Sequence, residues 1–251
     1  MTLSPEVLFY LAAIPAVIAV GASKGGLPTV GMLGVPLLSL AISPVRAAAI
    51  LLPIYVISDW FGVWTWRKVF DRRNLAILIP ASLLGIGLGW ATASVVADRW
   101  VTLLIGVIGL AFCLDSWLKR HRVLAPRAAD IPRGLFWGLL TGFTSFVSHS
   151  GAPPYQMYVL PQQLDKLSFA GTTTILFAVI NFVKLGPYYL MGQMTLESFE
   201  EIMWLVPLAI AATLTSARLL HYIPQALFYR LVRITLFLVS LKLVADGLGI
   251  V

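Results

Sequence analysis

The sequence predicts an all-α polytopic membrane protein, with about eight to ten transmembrane segments in two inverted repeats. Three observations predict this class. Of the 251 residues, 59% are hydrophobic and 12% are charged, whereas soluble globular chains are about 45–50% apolar and about 25% charged. Long apolar runs match the roughly 20 residues with which a helix crosses a bilayer core. A polar pattern also recurs near the start of each half of the chain.

Ten apolar segments with short connections are visible along the chain. They cover residues 4–22, 28–41, 45–66, 74–96, 99–118, 133–147, 153–163, 168–191, 199–219 and 226–250. Most of them are long enough to span a membrane as a helix. Segments 28–41 and 153–163 would rise only about 21 and about 16 Å at about 1.5 Å per residue. Neither reaches across a hydrocarbon core of about 30 Å.

Each short segment follows a polar break that contains glycine. The breaks are SKGG at 23–26 and SHSG at 148–151. Pro28 and Pro153 follow them, at the predicted start of the next helix. Proline suits the first turn of a helix, where its missing N–H costs nothing. The pattern predicts a broken or re-entrant helical hairpin near the start of each repeat, entering from opposite faces, with its tip near the middle of the membrane.

A shift of 125 residues superimposes the two halves of the chain. Gly26-Leu27-Pro28 then falls on Gly151-Ala152-Pro153, and Ser23-Lys24 falls on Ser148-His149. The predicted division is a first repeat at 1–118, a basic cytoplasmic linker at 119–133 and a second repeat at 134–251. Inverted repeats of this kind are a common transporter architecture.

The basic residues predict the orientation. Thirteen fall on one predicted side: Arg67, Lys68, Arg72, Arg73, Lys119, Arg120, Arg122, Arg127, Arg133, Lys166, Arg218, Arg230 and Arg233. The other side receives Arg46 and Arg99, with Glu197, Glu200 and Glu201. Basic loops are usually cytoplasmic, so both termini are predicted outside the cytoplasm. This bias accounts for the net charge of +7 without nucleic-acid binding, and the first apolar run, which lacks a basic n-region, is taken as part of the fold.

The chemistry of the two breaks predicts an anion site. Unwound glycines expose backbone N–H groups, and helix N-termini attract anions. Lys24 adds a positive charge, His149 adds a donor that can titrate, and serines add hydroxyls. The predicted substrate-binding residues are Ser23, Lys24, Gly25, Gly26, Ser148, His149, Ser150, Gly151 and Asn181. A structural explanation stays open, in which the glycines permit close packing, Lys24 reaches an interface and His149 is hydrogen-bonded structure.

Asp59 and Lys184 also interrupt apolar spans, where ionisable residues are functional candidates. They match in the repeat register, but counting along the helices separates them by about 12 Å in depth. We therefore expect separate roles in a pathway or in coupling, with packing as the alternative. Lys242 and Asp246, four residues apart, predict a local helix pair. The eight tryptophans are interpreted as interfacial anchors.

Enzyme chemistry has little support. The chain has no HExxH motif, no Cys/His metal cluster and no P-loop, so no metal, cofactor or ATP-driven pump is expected. A Ser150–Lys24 dyad is the one enzyme alternative.

These residues resemble a known family. The element GxxKGGLPxxG at Gly21–Gly31, the related element after the basic centre and the length near 250 residues resemble the TauE/SafE sulfite exporter family, also called the toluene sulfonate uptake permease family. The resemblance covers essentially the whole chain, although SHSGAPP departs from the glycine-rich pattern. It implies a bacterial inner-membrane, multi-pass carrier of small sulfur-containing anions such as sulfite, sulfoacetate or other organosulfonates.

The sequence therefore favours a secondary transporter that exports such an anion by alternating access around a midplane site. A passive anion channel, an uptake permease for another small organic anion and a non-transporting scaffold are the alternatives. The expected partners are the anion and the lipid bilayer, and a homo-oligomer is compatible with the sequence.

Overall fold

The computed structural model describes residues 4–93, 98–118, 125–192, 200 and 202–250. Its α-helices are α1 Pro5–Lys24, α2 Gly34–Leu38, α3 Pro44–Trp66, α4 Arg72–Thr92, α5 Asp98–Leu118, α6 Ile131–Ser148, α7 Ala152–Val159, α8 Lys166–Leu190, α9 Val206–Tyr222 and α10 Gln225–Leu248. Two 3-10 helices cover Pro28–Leu33 and Leu160–Gln162. The described residues contain no strand, and the all-α prediction is confirmed.

Helix boundaries follow the capping chemistry of the sequence. Ser43 precedes α3 and accepts a hydrogen bond from the Arg46 N–H at 3.4 Å. Asp71 precedes α4 and accepts from the Asn74 N–H at 2.7 Å. A side-chain oxygen at this position satisfies one of the free N–H groups of a helix start. The predicted segments and the observed helices therefore agree closely at most ends.

The ninth predicted segment, 199–219, is the main difference. Residues 202–203 are helical, 204–205 form a turn, and α9 begins at Val206. Pro207 lies in the first turn of α9, where a residue without an N–H is tolerated. Apolar character runs through this turn, so hydropathy alone could not place the helix start.

Within the described residues, four helices are long and apolar enough to cross a membrane: Glu6–Lys24, Arg46–Trp66, Arg72–Thr92 and Lys166–Leu190. Large apolar side chains lie exposed on helices and in the turn at 204–205, as at Leu118, Phe182 and Trp204, which are 84%, 67% and 82% exposed. Such a surface suits a lipid environment. The chain is a multi-pass membrane protein, while its predicted orientation stays a prediction.

The two short segments are short helical pieces, as predicted. Residues 28–38 form the first 3-10 helix and α2, and residues 152–162 form α7 and the second 3-10 helix. Every residue of α7 is buried. Both halves of the chain thus show one succession of elements: a helix, two short pieces and a long helix. The inverted relation of the halves stays a prediction.

The chain forms two compact units. The first contains Met1–Phe70 and Ala170–Ile223. Within it α1 packs on α9, and glycines permit a close approach: a Cβ on Gly21 would lie 2.3 Å from the Ala209 carbonyl oxygen. Its core is aliphatic and includes Ala13, Val17, Val20, Leu38, Ile50, Leu51 and Ile54.

The second unit contains Asp71–Phe169 and Pro224–Val251. Helix α4 packs on α6, where a Cβ on Gly142 would lie 1.9 Å from the Ser82 carbonyl oxygen. Ser82 Oγ donates to the Gly138 carbonyl at 3.0 Å across the same interface. Helix α5 packs on α10 around Gly109 and Ser240. Small residues thus set the helix spacing, as in many membrane bundles.

The units do not follow the predicted repeat boundary, because each unit contains elements from both halves of the chain. A repeat describes duplication and a unit describes packing, so the division at 1–118 and 134–251 stays a prediction. Of the predicted linker 119–133, only residues 125–133 are described, and Glu197 and Glu201 also lie outside the described residues.

Candidate functional site

Lys24 is the last residue of α1 and is buried within the first unit, at 4% exposure. Its Nζ lies 2.8 Å from Oδ1 of Asp59 on α3. The sequence left open that the Lys24 side chain extends to a membrane interface, and the structure does not show this, because the side chain is buried. A buried ammonium requires such a counter-charge because desolvation of an isolated charge is costly.

Asn181 of α8 completes this arrangement. Its Nδ2 donates to Oδ2 of Asp59 at 2.7 Å, so the two carboxylate oxygens face different partners. Asp59 and Asn181 are 3% and 4% exposed. Three helices thus meet at one buried carboxylate, and two predicted substrate-binding residues lie beside a predicted pathway residue.

Aromatic rings enclose the ammonium of Lys24. Its Nζ lies 4.9 Å from the centroid of the Tyr55 ring and 5.9 Å from that of Phe177. The Tyr55 hydroxyl donates to the Gly31 carbonyl at 2.5 Å, which fixes the ring against the first 3-10 helix. Cations near ring faces are stabilised, and more so when desolvated.

The backbone end of Lys24 is also held by distant side chains. Its carbonyl accepts from Nε1 of Trp66 at 3.2 Å and from Oγ1 of Thr174 at 3.1 Å. Carbonyls in the last turn of a helix lack intrahelical partners, so these donors cap α1. Trp66 is 2% exposed, and its interpretation as an interfacial anchor is wrong because its indole serves this buried cap.

The glycines after Lys24 have defined structural roles. A Cβ on Gly25 would lie 1.8 Å from Ser216 Oγ on α9, so α1 reaches α9 only with glycine there. The Gly25 N–H donates to the Gly21 carbonyl at 3.3 Å, which uses one of the donors predicted for an anion. Gly26 has φ of 125°, a conformation that favours glycine.

Lys184 is a second buried lysine of this unit, at 1% exposure on α8. Its Nζ lies 5.7 Å from the Tyr188 ring centroid, and it is within electrostatic range of Lys24 and Asp59. We call Lys24, Asp59, Asn181 and Lys184 the buried charge cluster. Within the described residues, this cluster brings two lysines, one aspartate and one asparagine into a buried region of the first unit.

The polar break of the second unit follows α6. His149 ends that helix with φ of 52°, in the left-handed region. The Ser150 N–H donates to the Thr144 carbonyl at 3.1 Å, and Thr144 Oγ1 donates to the Ser150 carbonyl at 3.1 Å. These bonds form a tight C-terminal cap. Gly151 then precedes α7, which begins at Ala152 with Pro153 in its first turn.

The serine hydroxyls of both breaks are used locally. Ser23 Oγ donates to the Val20 carbonyl at 2.6 Å, and Ser148 Oγ donates to the Thr144 carbonyl at 3.3 Å. Ser150 Oγ donates to the Ser148 carbonyl at 3.0 Å, so its proton points to a carbonyl rather than to a base. This bond gives the serine-hydrolase alternative no support.

The structure therefore brings Lys24, Asp59 and Asn181 into direct contact and adds Lys184 nearby. Sequence reasoning missed the pairing of Lys24 with Asp59 and the roles of Tyr55, Phe177, Thr174 and Trp66. Charge balance was a usable signal, because a buried lysine needs a carboxylate. Within the described residues, no group of three His, Cys, Asp or Glu side chains is placed to hold a metal ion.

Comparison with known proteins bears on this chemistry. No curated protein matches the chain, and no solved structure matches it. A family model described as sulfite exporter TauE/SafE matches residues 13–243. The match includes both polar breaks and every member of the buried charge cluster. With nearly all of its length matched, the chain belongs to the sulfite exporter TauE/SafE family.

Proposed function

We propose that this membrane transporter is a secondary carrier that exports small sulfur-containing anions, such as sulfite or organosulfonates. The observation that carries the proposal is the buried charge cluster. Lys24 and Lys184 are both buried near Asp59, and buried lysine side chains are functional candidates that would attract an oxyanion. Family membership supports a sulfur anion as the solute.

The cluster suits a site that an anion enters and leaves. Asp59 holds the Lys24 ammonium at 2.8 Å, so the lysine stays paired before a substrate arrives. An incoming anion would share this ammonium and that of Lys184 with the carboxylate. Asn181 would orient the anion beside this carboxylate, because the serine hydroxyls of the second break already donate to carbonyls. His149 and Asp59 are candidate proton carriers.

Export needs no coupling ion in this proposal. When an anion leaves a cell whose interior is negative, the membrane potential favours the export by about 2.3 kcal/mol of free energy per charge per 100 mV. The predicted setting is a bacterial inner membrane with cytoplasmic basic loops and both termini outside the cytoplasm. Alternating access around a midplane site would carry the anion across.

The test is sulfite flux from proteoliposomes, with the buried pair removed as a pair. Lys24→Met alone would leave Asp59 buried without its partner, which costs about 3–5 kcal/mol and endangers the fold. The double variant Lys24→Met/Asp59→Asn removes both charges at similar volume. We expect it to insert into the membrane and to lose at least about nine-tenths of the flux. Removal of a charged donor from a buried site lowers the affinity for an anion by more than about tenfold.

The chain supplies a matched control. Lys242 and Asp246 form a second ion pair on α10, with side chains 37% and 30% exposed. We expect Lys242→Met/Asp246→Asn to transport as the wild type does. Wild-type flux in the Lys24/Asp59 double variant would contradict the proposed role of the cluster.

A passive anion channel differs from a carrier in its kinetics. A carrier saturates with sulfite and accelerates the exchange of labelled sulfite when sulfite is present on both sides. Linear flux without counterflow would favour the channel. Accumulation of the anion driven by an ion gradient would favour uptake.

A further inference from the structure

Gln156 lies in the middle of α7 and is completely buried. Neither Nε2 nor Oε1 of its amide has a hydrogen-bond partner in the described part of the chain. A buried amide without partners costs free energy, because it has given up its bonds to water. An unsatisfied buried group of this kind requires an explanation, and a bound solute that completes its hydrogen bonds is one.

Gln162 provides an internal comparison on the same short segment. It is also buried, at 7% exposure, but its amide is fully used. Its Nε2 donates to Asn74 Oδ1 at 3.1 Å and to the Tyr158 carbonyl at 3.2 Å, and its Oε1 accepts from Asn74 Nδ2 at 2.8 Å. The second unit can therefore satisfy a buried glutamine, and it does not do so for Gln156.

The other buried polar atoms without a hydrogen bond have simpler explanations. Asp59 Oδ1 faces the Lys24 ammonium. Ser58 and Ser240 carry lone hydroxyls in helices, and a helical serine can turn its hydroxyl toward the carbonyl four residues earlier. An amide offers two donors and one acceptor, so Gln156 differs in kind within the region described.

The amide of Gln156 belongs to the polar break that precedes α7. Helical side chains lean toward the N-terminus of their helix, and Gln156 lies about one turn after Ala152. A side chain at this position leans in general toward the first turn of α7, which follows the break. Pro153 and Pro154 lie in that turn and have no N–H to offer. The side chain of Gln156 supplies donors where the backbone has few.

We propose that Gln156 binds the transported solute directly. Its Nε2 donates to an oxygen of the anion, and its Oε1 accepts a hydrogen bond from a hydroxyl or amino group of the same solute. The solute class then narrows to sulfur oxyanions that carry a donor, such as hydroxyalkyl- or aminoalkylsulfonates and hydrogen sulfite. Fully deprotonated sulfate and thiosulfate offer acceptors alone. This inference rests on the proposed function.

The binding test uses a matched pair of solutes with the purified full-length chain. 2-Hydroxyethanesulfonate and 1-propanesulfonate differ by a hydroxyl in place of a methyl group. One satisfied hydrogen bond corresponds to about tenfold in Kd. We expect the wild type to prefer the hydroxylated solute by about that factor in calorimetric titration. Gln156→Met, which keeps the length of the side chain, should weaken the hydroxylated solute at least tenfold and abolish the preference.

A second readout separates binding from structure. Because the Gln156 amide has no hydrogen bond to lose within the part of the chain that the structure describes, Gln156→Met without solute should melt at or above the wild-type temperature. Gln162→Met removes the side-chain hydrogen bonds of Asn74 and should melt at a lower temperature. The fraction of this variant that is folded should still prefer the hydroxylated solute. A merely structural glutamine at 156 would behave as Gln162 does.

Each outcome decides. A melting temperature of Gln156→Met as low as that of Gln162→Met would overturn the inference, because the amide would then have a structural partner. Wild-type affinity and preference in Gln156→Met would overturn it too, with the proposed function intact. An equal affinity of the wild type for both solutes would overturn the acceptor role of Oε1. If the wild type binds neither sulfonate nor sulfite, the proposed function fails, and the assigned solute class fails with it.

Discussion

The break after α1 and the break after α6 hold equivalent places in the two halves of the sequence, but they satisfy their polar groups by different means. After α1, the partners come from other helices: Asp59 binds the side chain of Lys24, and Thr174 binds its carbonyl. After α6, Thr144 and Ser150 bond to each other within a few residues. The buried lysine of the first break has a distant counter-charge, whereas the second break is capped by its own neighbouring residues.

The two breaks also differ in the polar groups that they contain. In the first unit, the break supplies charge and is stabilised by side chains of α3 and α8. In the second unit, a compact cap leads into a buried helix, where the amide of Gln156 has no hydrogen-bond partner among the described residues. The two breaks therefore differ in what holds them, which is side chains of other helices in the first unit and local hydrogen bonds in the second.

The largest expected effect is at the first break. Asp59→Ala leaves the Lys24 ammonium buried without its carboxylate, which should cost about 3–5 kcal/mol of stability. Ser150→Ala at the second break removes one hydrogen bond and should cost about 1 kcal/mol. Thermal unfolding of both variants in detergent measures the contrast. Equal losses would show that the two breaks do not differ in this way.

An intermediate effect is expected from the close approach at the first break. Gly25→Ala places a Cβ 1.8 Å from Ser216 Oγ and 2.4 Å from the Thr213 carbonyl oxygen. The backbone oxygen has little freedom to move, so we expect a loss of about 1–3 kcal/mol. Gly186→Ala is the control, because no atom of the described residues lies within 4 Å of its added Cβ. An unchanged melting temperature in Gly25→Ala would contradict the packing role of this glycine.

The smallest effect concerns the helix that follows each short segment. Ser43 caps α3, and Asp165 caps α8 by accepting from the N–H groups of Leu167 and Ser168 at 3.1 and 3.0 Å. Partial burial alone would raise the pKa of the Asp165 carboxyl, but hydrogen bonds from Ser168 and Leu167 outweigh it and lower that pKa. The capping side chain of α8, Asp165, can therefore titrate, whereas the capping side chain of α3, Ser43, cannot.

A lowered pKa gives the sign of this effect. The stabilisation from ionised Asp165 is present above the unfolded-state value of about 3.9 and is lost as the pH falls through the folded-state value. Asp165→Asn keeps a capping oxygen that does not titrate. We expect the wild type to lose up to about 1 kcal/mol relative to this variant on acidification, measured as melting temperature against pH. Parallel curves would exclude the titrating cap.

The fold followed closely from the sequence because apolar runs and capping residues act locally. Ser43 and Asp71 mark helix starts through bonds to residues three positions away. The short segments were predictable for the same reason, since proline and glycine restrict the backbone where they occur. Only where apolar residues continued through a turn, at 204–205, did the predicted helix start fall early.

The candidate site was predicted less completely. Counting residues predicts the depth of a residue along a helix, but it does not predict which way the side chain faces around the helix axis. The sequence therefore suggests a comparison of Asp59 with Lys184 and does not reveal the ion pair of Asp59 with Lys24. Charge balance would have helped, because Asp59 is the interior acid of the first three apolar segments and Glu6 lies at a segment end. The partners Thr174 and Trp66 carry no such signal, since neutral residues of these types occur throughout the chain.

The buried ion pair also has a consequence for biogenesis. Lys24 and Asp59 lie on α1 and α3, whereas Asn181 follows Asp59 by 122 residues. A ribosome therefore delivers the ammonium and the carboxylate to the membrane in succession, long before it delivers the amide. The two charges can neutralise each other while the chain is still being inserted, so that the costliest group in the first unit need not wait in lipid for the second half of the protein.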